Sequence, residues 1–340
     1  MNFKMSRYLG LGFTYSLLTL LTVLPDSLAA QSSVQEERLT FVRLTAEQYR
    51  NAIRDIFGES IEVKGDAVSS GVREAGLTTL GDRRLTLSSS EVESFEVLAL
   101  DIASQVLEPS RRTTLIPCKP KNENTVDDEC ASEFISSVGL HLFRRPLAQD
   151  EIERFKSMAS AATNSLGNFY SGLQAALVGM MVSPDFLFRT ERSWPNPEAP
   201  GLRQLDAWSM ASRLSFFLWN TTPSVSLLEA AESGELLFEE GLNKQVDRMM
   251  LSPRVEDGLR AFFSDMLAFD RFNTLDIDPT LYPKFTKSVE DEAREQTLRT
   301  IAYHLLDQGS DYRDIFDSRK TFLTPALAAL YGVPIPIRQE

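Results

Sequence analysis

An all-α fold is predicted for this chain, with helices packed orthogonally or in bundles into two to three subdomains after a signal peptide. Three observations predict it. Apolar residues recur at every third or fourth position along most of the chain. No β-branched, strictly alternating run of strand length occurs, and only 17 of the 340 residues are glycine. Capping residues and prolines divide the rest into segments of helical length.

The first thirty residues have the pattern of a secretory signal peptide. Two basic residues, Lys4 and Arg7, precede an apolar run over 8–24, and Ser27-Leu28-Ala29 places small residues before a cut after Ala29. An uncleaved membrane anchor is the alternative, because the run approaches spanning length. Glycine and hydroxyl residues dilute the run and favour cleavage of 1–29. We therefore expect an exported protein, periplasmic or extracellular, that contacts a membrane only through an uncleaved signal segment.

The first predicted domain, 38–110, contains two amphipathic helices. Thr45 and Gln48 form a capping box at the start of the first helix, and Gly58 ends it. Ser90 and Glu93 predict a second capping box. The apolar stripe that follows stops before a proline.

The second predicted domain, 128–191, contains three helices with apolar stripes over 134–142, 152–162 and 170–181. A Pro-rich linker is expected at 192–202, since three prolines between 195 and 200 exclude a helix.

The third predicted domain, 203–334, is helical throughout. Asp206 is expected to cap its first helix. Thr222, Ser252 and Thr324 each place a capping oxygen before a proline suited to the first helical position. The longest helix of the chain is expected at 289–306.

Two cysteines, Cys118 and Cys130, predict one disulfide in an exported chain. Closing so short a loop stabilises the fold by about 2–3 kcal/mol. A redox-active pair is the alternative, but it usually has C-x-x-C spacing, and eleven residues intervene here. The sequence therefore favours a structural disulfide.

Charge and composition exclude several function classes. With 35 Lys and Arg against 48 Asp and Glu, the net charge is −13, which argues against nucleic-acid binding. Two histidines and two cysteines exclude most zinc sites, and the absence of C-x-x-C-H excludes covalent haem. Non-covalent haem on His141 or His304 stays open, although a lone helical histidine is more often an ordinary core or surface residue. No cofactor and no metal are predicted.

Catalytic residues cannot be assigned from motifs. The G-x-S-x-G elbow, the G-x-G-x-x-G loop and the P-loop are absent. Asp276-Ile277-Asp278 is interpreted as a solvated turn. The doublets Arg83-Arg84, Arg111-Arg112 and Arg144-Arg145 are interpreted as surface or helix-end charges. Arg213, in an apolar helix, predicts a structural ion pair between helices, with anion binding as the less frequent alternative.

Several segments resemble a known family. Residues 43–58 resemble the opening of domain of unknown function 1587, and 143–147 with 177–189 resemble domain 1595. Residues 205–219, 245–253, 282–285 and 322–334 resemble domain 1592. The resemblance is to a planctomycete-type exported multidomain family. It implies a cell-envelope protein with ties to a c-type cytochrome or to breakdown of extracellular polymers. It supplies no catalytic residues.

The chain departs from this family in two ways. Ala148 stands where relatives often place a capping Ser or Thr, a local loss of about 1 kcal/mol. Relatives usually continue into domains 1588 and 1585, which we expect to be lacking here. The cysteine pair before Arg144-Arg145-Pro146 fits what many members show.

Two functions are therefore carried forward, and the oligomeric state is left open. The first is an exported docking module that binds envelope proteins or a cytochrome c. The alternative is an extracytoplasmic enzyme, either a carboxylate-based polysaccharide hydrolase or an oxidoreductase subunit working with a cytochrome c. A pocket with two facing carboxylates, at least one desolvated, favours the hydrolase. Buried acids that are all matched by arginine favour the module.

Overall fold

The computed structural model describes residues 36–65, 73–81, 86–275, 277–278 and 280–334. The signal segment 1–29, the doublet Arg83-Arg84 and Asp276 lie outside these ranges. Glu37–Glu340 group into one compact unit. No helix of the described residues is long and apolar enough to cross a membrane.

The first half of the unit shares one apolar core, to which buried residues from Leu44 to Leu187 and Phe216 contribute. The predicted segments 38–110 and 128–191 therefore pack on a common core. Its elements are β1 (Arg38–Arg43), α1 (Ala46–Phe57), α2 (Thr78–Gly81), α3 (Ser89–Val106), α4 (Arg112–Leu115), α5 (Asp128–Phe143), α6 (Gln149–Leu166), α7 (Phe169–Met181) and α8 (Pro184–Leu187).

The second half packs around two smaller apolar clusters, one centred on Trp219 and Leu227 and one on Phe263 and Leu298. Its strands are β2 (Phe188–Pro195) and β3 (Arg203–Leu205). Its α-helices are α9 (Ala207–Leu218), α10 (Val225–Glu232), α11 (Glu239–Met250), α12 (Val255–Met266), α13 (Lys287–Ala302) and α14 (Pro325–Tyr331). Short 3-10 turns cover Glu235–Leu237, Phe269–Thr274 and Tyr312–Phe316, and a π-helical turn covers Tyr303–Asp307.

The all-α class is confirmed, and one small three-stranded sheet accompanies the helices in the described part of the chain. Strands β1, β2 and β3 form an antiparallel sheet in that order. Arg38 pairs with Ser193 and Arg43 with Phe188, while Pro195 pairs with Arg203. These strands are short and carry polar residues on both faces, so they lack the alternation that marks a strand in sequence.

The expected linker 192–202 is a β-hairpin. Its first residues belong to β2, and the Asn196 amide donates to the Leu202 carbonyl at 2.9 Å to close the connection. The exclusion of helix from this stretch is confirmed. The domain boundaries themselves stay a prediction.

Some of the helix caps that the sequence predicts are present in the structure, and others are formed by different residues. The Thr45–Gln48 box, the Asp206 cap and the Thr324 cap are confirmed. The second capping box is formed by Ser88 and Glu91 instead of Ser90 and Glu93, so α3 begins two residues earlier than expected. Capping boxes repeat in a Ser-rich run, and only the backbone decides which serine lies at the boundary.

The other expected capping oxygens are used differently. The Thr222 hydroxyl donates to the His141 carbonyl at 3.1 Å, and α10 begins after Ser224. The N-cap residue of α12 is Arg254 and not Ser252, which lies two residues earlier. The expected longest helix at 289–306 is α13, which changes to π-helix after Ala302. At 16 residues it is shorter than α3 and α6, with 18 each.

Candidate functional site

A row of four aromatic rings joins α12 to the 3-10 turn Tyr312–Phe316. Successive ring centroids lie 5.2 Å apart between Phe262 and Phe263, 5.7 Å between Phe263 and Tyr312, and 5.5 Å between Tyr312 and Phe316. Phe263 is 5% exposed and anchors the row in the third apolar cluster. Phe262, Tyr312 and Phe316 are 45%, 39% and 73% exposed. We call these four residues the aromatic row.

Many other exposed apolar side chains belong to the same part of the chain, the segment after α8. In the described part of 128–191, the large apolar residues that are exposed are Met158 and Leu166. The segment after α8 exposes many more, namely Leu202, Phe217, Val225, Leu237, Phe238, Met250, Leu251, Met266, Leu267, Leu275, Leu281, Tyr282, Tyr331 and Val333. Exposed apolar residues mark an interaction site only where they form one contiguous patch, as the rings of the aromatic row do.

Charged residues lie beside the aromatic row. Arg313, between Tyr312 and Phe316 in the chain, donates from Nε to Asp311 Oδ1 at 2.9 Å. Hydrogen bonds from Arg313 lower the pKa of Asp311. A polar border around exposed aromatic groups is the usual anatomy of a protein interface.

A cavity of about 480 Å³ lies between α12, α13 and the π-helical turn. The residues that line it are Glu256, Arg260, Glu295, Arg299, Ala302, Tyr303, Leu306, Asp307 and Phe322. The volume falls within the range of small-molecule pockets, about 300–1,000 Å³. None of these residues belongs to the aromatic row.

Two acids of this cavity face each other across one arginine. Arg260 donates from Nε to Glu256 at 2.6 Å and from both terminal nitrogens to Glu295 at 2.9 and 3.2 Å. Both carboxylates therefore share one cation. The general acid of a glycoside hydrolase sits in a desolvated site away from cations, which differs from this arrangement.

Buried acids elsewhere are also compensated. Glu191 is paired with Arg213 and Glu290 with Lys287. The Asp127 carboxylate accepts from the backbone amides of Lys121 and Cys130, and these bonds lower its pKa.

One acid, Glu47, has a pKa that is raised instead of lowered. Burial of its carboxyl group raises the pKa of Glu47, and the nearby Asp257 charge adds to this, while Arg50 opposes it. The Glu47 side chain as a whole is nevertheless exposed to solvent. Neither Glu47 nor Asp257 lines the cavity above or the crevice described below.

The predicted disulfide is confirmed. Cys118 and Cys130 are bonded, with their Cα atoms 5.5 Å apart. Cys130 lies in the first turn of α5, where Asp127 caps the helix. The bond therefore fixes the loop before α5 to the helix itself.

The two histidines occupy ordinary helical positions. His141 lies on α5, and burial lowers its pKa. His304 lies in the π-helical turn, and its Nε2 is 2.8 Å from the Asp311 carbonyl oxygen. Among the described residues, no group of three or more His, Cys, Asp or Glu side chains is placed to hold a metal ion.

The doublet Arg144-Arg145 is interpreted from sequence as surface or helix-end charges, and the structure agrees with this only in part. Arg144 ends α5 as expected, but it is 3% exposed and therefore not a surface charge. Its guanidinium donates to the carbonyl oxygens of Asp185, Phe186 and Phe188 at 2.5, 3.3 and 2.6 Å. Burial lowers its pKa to about 9, so the group stays charged at neutral pH.

Arg145 is an ion-pair centre. It holds Glu151 through two hydrogen bonds of 2.8 and 2.9 Å and Asp185 through a third of 2.9 Å. These contacts lower the pKa of Glu151, whose carboxylate also accepts from the Ala148 amide. Glu151 thus forms the half of a capping box that needs no Ala148 side chain, while the first amides of α6 have no side-chain cap.

Both arginines of the doublet border a small crevice with Arg192, Trp208 and Ser212. Its volume is about 20 Å³, enough for roughly one water molecule. A buried hydroxyl, that of Ser212, has no hydrogen-bond partner among the described residues there. The crevice is therefore too small for an organic substrate.

The other predicted charges have structural roles. Arg213 forms the expected ion pair, donating from Nε to Glu191 at 3.1 Å. The sequence predicts a partner on another helix, but Glu191 lies on strand β2. Arg111-Arg112 lie at the start of α4, and the Arg112 guanidinium lies 3.7 Å from the Tyr170 ring centre. Asp278 accepts the Thr280 amide at 2.7 Å, as in a turn.

Two family profiles match the chain. Residues 130–191 match PSD5, protein of unknown function (DUF1595), and residues 205–333 match PSD4, protein of unknown function (DUF1592). The chain is similar to both families over these residues. The aromatic row and the 480 Å³ cavity both lie within the PSD4 match. No curated protein matches the chain, and no solved structure matches it. The resemblance of 43–58 to domain 1587 and the planctomycete-type origin stay predictions.

Sequence reasoning missed both the aromatic row and the cavity. Phe262 and Phe263 are adjacent, and Tyr312 lies almost fifty residues later, so no local spacing reports their contact. The Tyr312–Phe316 pair is a signal in the sequence that could have indicated the row. The two residues are four positions apart, as on one face of a helix, and they lie in a short polar segment that has no longer apolar stripe.

Proposed function

We propose that this protein is an exported helical docking module of a cell-envelope assembly, and that its aromatic row is the contact surface. The observation that carries the proposal is the row itself. Three of its rings are exposed around a fourth that is buried in the core. Aromatic side chains held rigidly at a surface are the groups that most often dominate binding energy. Export is supported by the disulfide, because such bonds persist in oxidising compartments.

The proposed partner is a basic envelope protein, with a cytochrome c as the specific candidate. The chain carries a net charge of −13, which attracts cations and accelerates their encounter at low salt. Binding should therefore combine a salt-dependent association rate with a dissociation rate set by the aromatic row.

The enzymatic alternative has less support. Glu256 and Glu295 share Arg260, and the buried acids Glu191 and Glu290 have cationic partners. A hydrolase acid has to hold a proton near neutral pH, which requires desolvation without a cation nearby. The oxidoreductase alternative has no specific structural observation in its favour.

Site-specific photo-crosslinking in the native envelope tests the proposal. A benzophenone amino acid at position 316 should give a discrete adduct with one partner, whereas the same group at position 166 should give none. Leu166 is the matched control, because it is 65% exposed but lies outside the aromatic row. Equal labelling from both positions, or none from position 316, contradicts docking through the row.

The identified partner then provides a quantitative test. Phe316→Ser should weaken its binding to the purified chain by about thirtyfold, since truncating an interface hot spot costs about 2 kcal/mol or more. Leu166→Ser should leave the affinity unchanged. Surface plasmon resonance at two salt concentrations checks both the affinity and the expected fall of the association rate with salt.

A further inference from the structure

The 480 Å³ cavity has a wall built on a single continuous stripe. Glu295, Arg299 and Ala302 of α13 are followed by Tyr303, Leu306 and Asp307 of the π-helical turn. Across from this stripe lie Glu256 and Arg260 of α12, and Phe322 closes one side.

The π-helical turn is what keeps Asp307 on this wall. In an uninterrupted α-helix, twelve positions after Glu295 would place Asp307 about 120° round the axis. The turn adds one residue, as shown by the Gln308 amide donating to the Tyr303 carbonyl at 3.0 Å. Asp307 therefore returns to within about 20° of Glu295. Such single π-turns within α-helices occur frequently at functional sites.

Two opposite charges on the wall are left without an ionic partner. The Arg299 guanidinium packs over the Phe322 ring at 4.5 Å and, within the described part of the chain, meets no acceptor. Asp307 is exposed and likewise has no hydrogen bond or ion pair to the described residues. By contrast, Arg260 is hydrogen-bonded to both Glu256 and Glu295, a trio of one cation and two anions. The charged side chains of the wall that have no ion pair to a described residue are thus one cation, Arg299, and one anion, Asp307.

The spacing between these two charges sets the length of a complementary ligand. Eight residues separate them, and because the π-helical turn inserts one of these, the axial rise is that of about seven α-helical steps, or about 10 Å. The Tyr303 and Phe322 rings, 5.4 Å apart, and Leu306 are apolar groups of the same lining. A ligand that fits has a carboxylate at one end, an ammonium at the other and an apolar body.

We infer that this cavity binds a short peptide with free termini. An extended chain rises about 3.3–3.6 Å per residue, so a tripeptide spans about 10 Å. Its carboxylate would pair with Arg299, whose planar fork suits bidentate binding, and its ammonium with Asp307. Its central side chain would contact Tyr303 and Phe322. The inference does not rest on docking through the aromatic row, since the two sets of residues are separate.

Titration of the mature chain with three forms of one peptide tests the inference. The probe is alanyl-phenylalanyl-alanine, compared with its N-acetylated and its C-amidated forms, by NMR chemical-shift titration at low salt. The free peptide should bind saturably, and each blocked form should bind about tenfold more weakly, because each lacks one charged hydrogen bond. Absence of saturable binding at millimolar concentration, or equal binding of all three forms, overturns the inference.

Two variants assign the ends of the peptide. Arg299→Gln should abolish the preference for the free carboxylate, and Asp307→Asn the preference for the free ammonium. Arg313→Gln is the control, because this arginine lies outside the cavity and is 86% exposed. If both cavity variants retain wild-type preferences while their melting temperatures are unchanged, the assigned contacts are wrong. Crosslinking through position 316 can succeed or fail independently of this result.

Discussion

Buried arginine at a helix end is the dominant feature at the scale of single residues. Arg144 has a positive φ of 59° and turns its guanidinium under α8, where three backbone carbonyl oxygens accept from it. The guanidinium thus donates hydrogen bonds at the end of α8, where a helix leaves its last carbonyl groups without partners in the helix itself. The neighbouring Arg145 provides the charge balance through Glu151 and Asp185.

Arg144→Met should be strongly destabilising. The substitution removes the guanidinium hydrogen bonds to the carbonyl oxygens of Asp185, Phe186 and Phe188, at a cost of about 3 kcal/mol or more in the free energy of unfolding. Urea denaturation followed by circular dichroism measures the change. Arg313→Met, at an exposed position, should change the same free energy by no more than about 0.5 kcal/mol. Similar values for the two variants would show that the carbonyl contacts contribute little.

These residue-scale roles were only partly accessible from sequence. The helix end at Arg144-Arg145-Pro146 follows from the proline and from the end of the apolar stripe. Burial of Arg144 does not follow, because its acceptors are more than forty residues away. The Arg213 ion pair was predictable as a pair, since a guanidinium in an apolar helix needs a carboxylate. Its location on a strand was not, because the strand itself was not recognised.

At the scale of elements, a single carboxylate holds α2 against the end of α12. Asp265 accepts from the backbone amides and hydroxyls of Thr78 and Thr79 and from Arg73. Burial by itself raises the pKa of Asp265, but the hydrogen bonds from Thr78 and Thr79 outweigh it and lower the pKa.

Asp265→Asn should release the segment 73–81. The amide offers one acceptor oxygen where the carboxylate offers two, so part of the contacts are lost. Hydrogen exchange followed by mass spectrometry should show faster exchange of 73–81 while the core of α7 is unchanged. Asp291→Asn, an exposed position on α13, is the control. Unaltered exchange of 73–81 in the Asp265 variant would contradict the proposed attachment.

The same attachment should depend on pH. A carboxylate with a lowered pKa stabilises the folded state above its unfolded value, about 3.9, and loses that contribution as the pH falls through the folded value. Exchange protection of 73–81, corrected for the intrinsic rate, should therefore be constant near neutral pH and fall below about pH 4. In Asp265→Asn this acid-dependent step should be absent.

Helices α6 and α7 approach so closely that one glycine is required. A Cβ on Gly172 would lie 2.0 Å from Thr163 Oγ1 and 2.5 Å from the Ala159 carbonyl oxygen. Gly172→Ala should thus cost about 1–3 kcal/mol of unfolding free energy, because backbone cannot yield as a side chain can. Gly139→Ala is the matched control, since the atoms nearest to its Cβ would be those of the Leu147 side chain and not backbone. Guanidinium denaturation compares the two variants, and equal costs would contradict this packing.

Elements were predictable where local chemistry determines them. The Thr45–Gln48 box and the Asp206 and Thr324 caps use side chains that bond to their own helix, so a few adjacent residues suffice. Strand β1 is different, because all its ladder bonds go to β2, some 150 residues later. The π-helical turn likewise leaves no mark in the apolar periodicity of α13.

At the scale of the whole molecule, the core is divided unequally. The first half shares one large apolar cluster that the disulfide borders, while the second half rests on two smaller clusters and exposes many apolar side chains. Small cores bury less apolar area per residue and contribute less to stability. A partner that covers the aromatic row would therefore stabilise the second half by mass action.

Export and disulfide formation should be linked, and one comparison tests both. We expect the full chain, expressed in a host that exports it, to begin at Ala30 and to contain the Cys118–Cys130 bond. The chain starting at Ala30 and kept in the cytosol should contain two thiols, because that compartment is reducing. N-terminal sequencing and thiol labelling measure these two properties.

Stability should follow the oxidation state in both preparations. The bond restricts a short loop in the unfolded chain and contributes about 2–3 kcal/mol, so the reduced cytosolic form should melt at a lower temperature. Oxidation of that form in vitro should restore the melting temperature of the exported form, since it forms the same bond. Retention of residues 1–29 would contradict cleavage after Ala29, and thiol labelling at either cysteine would contradict an oxidising destination.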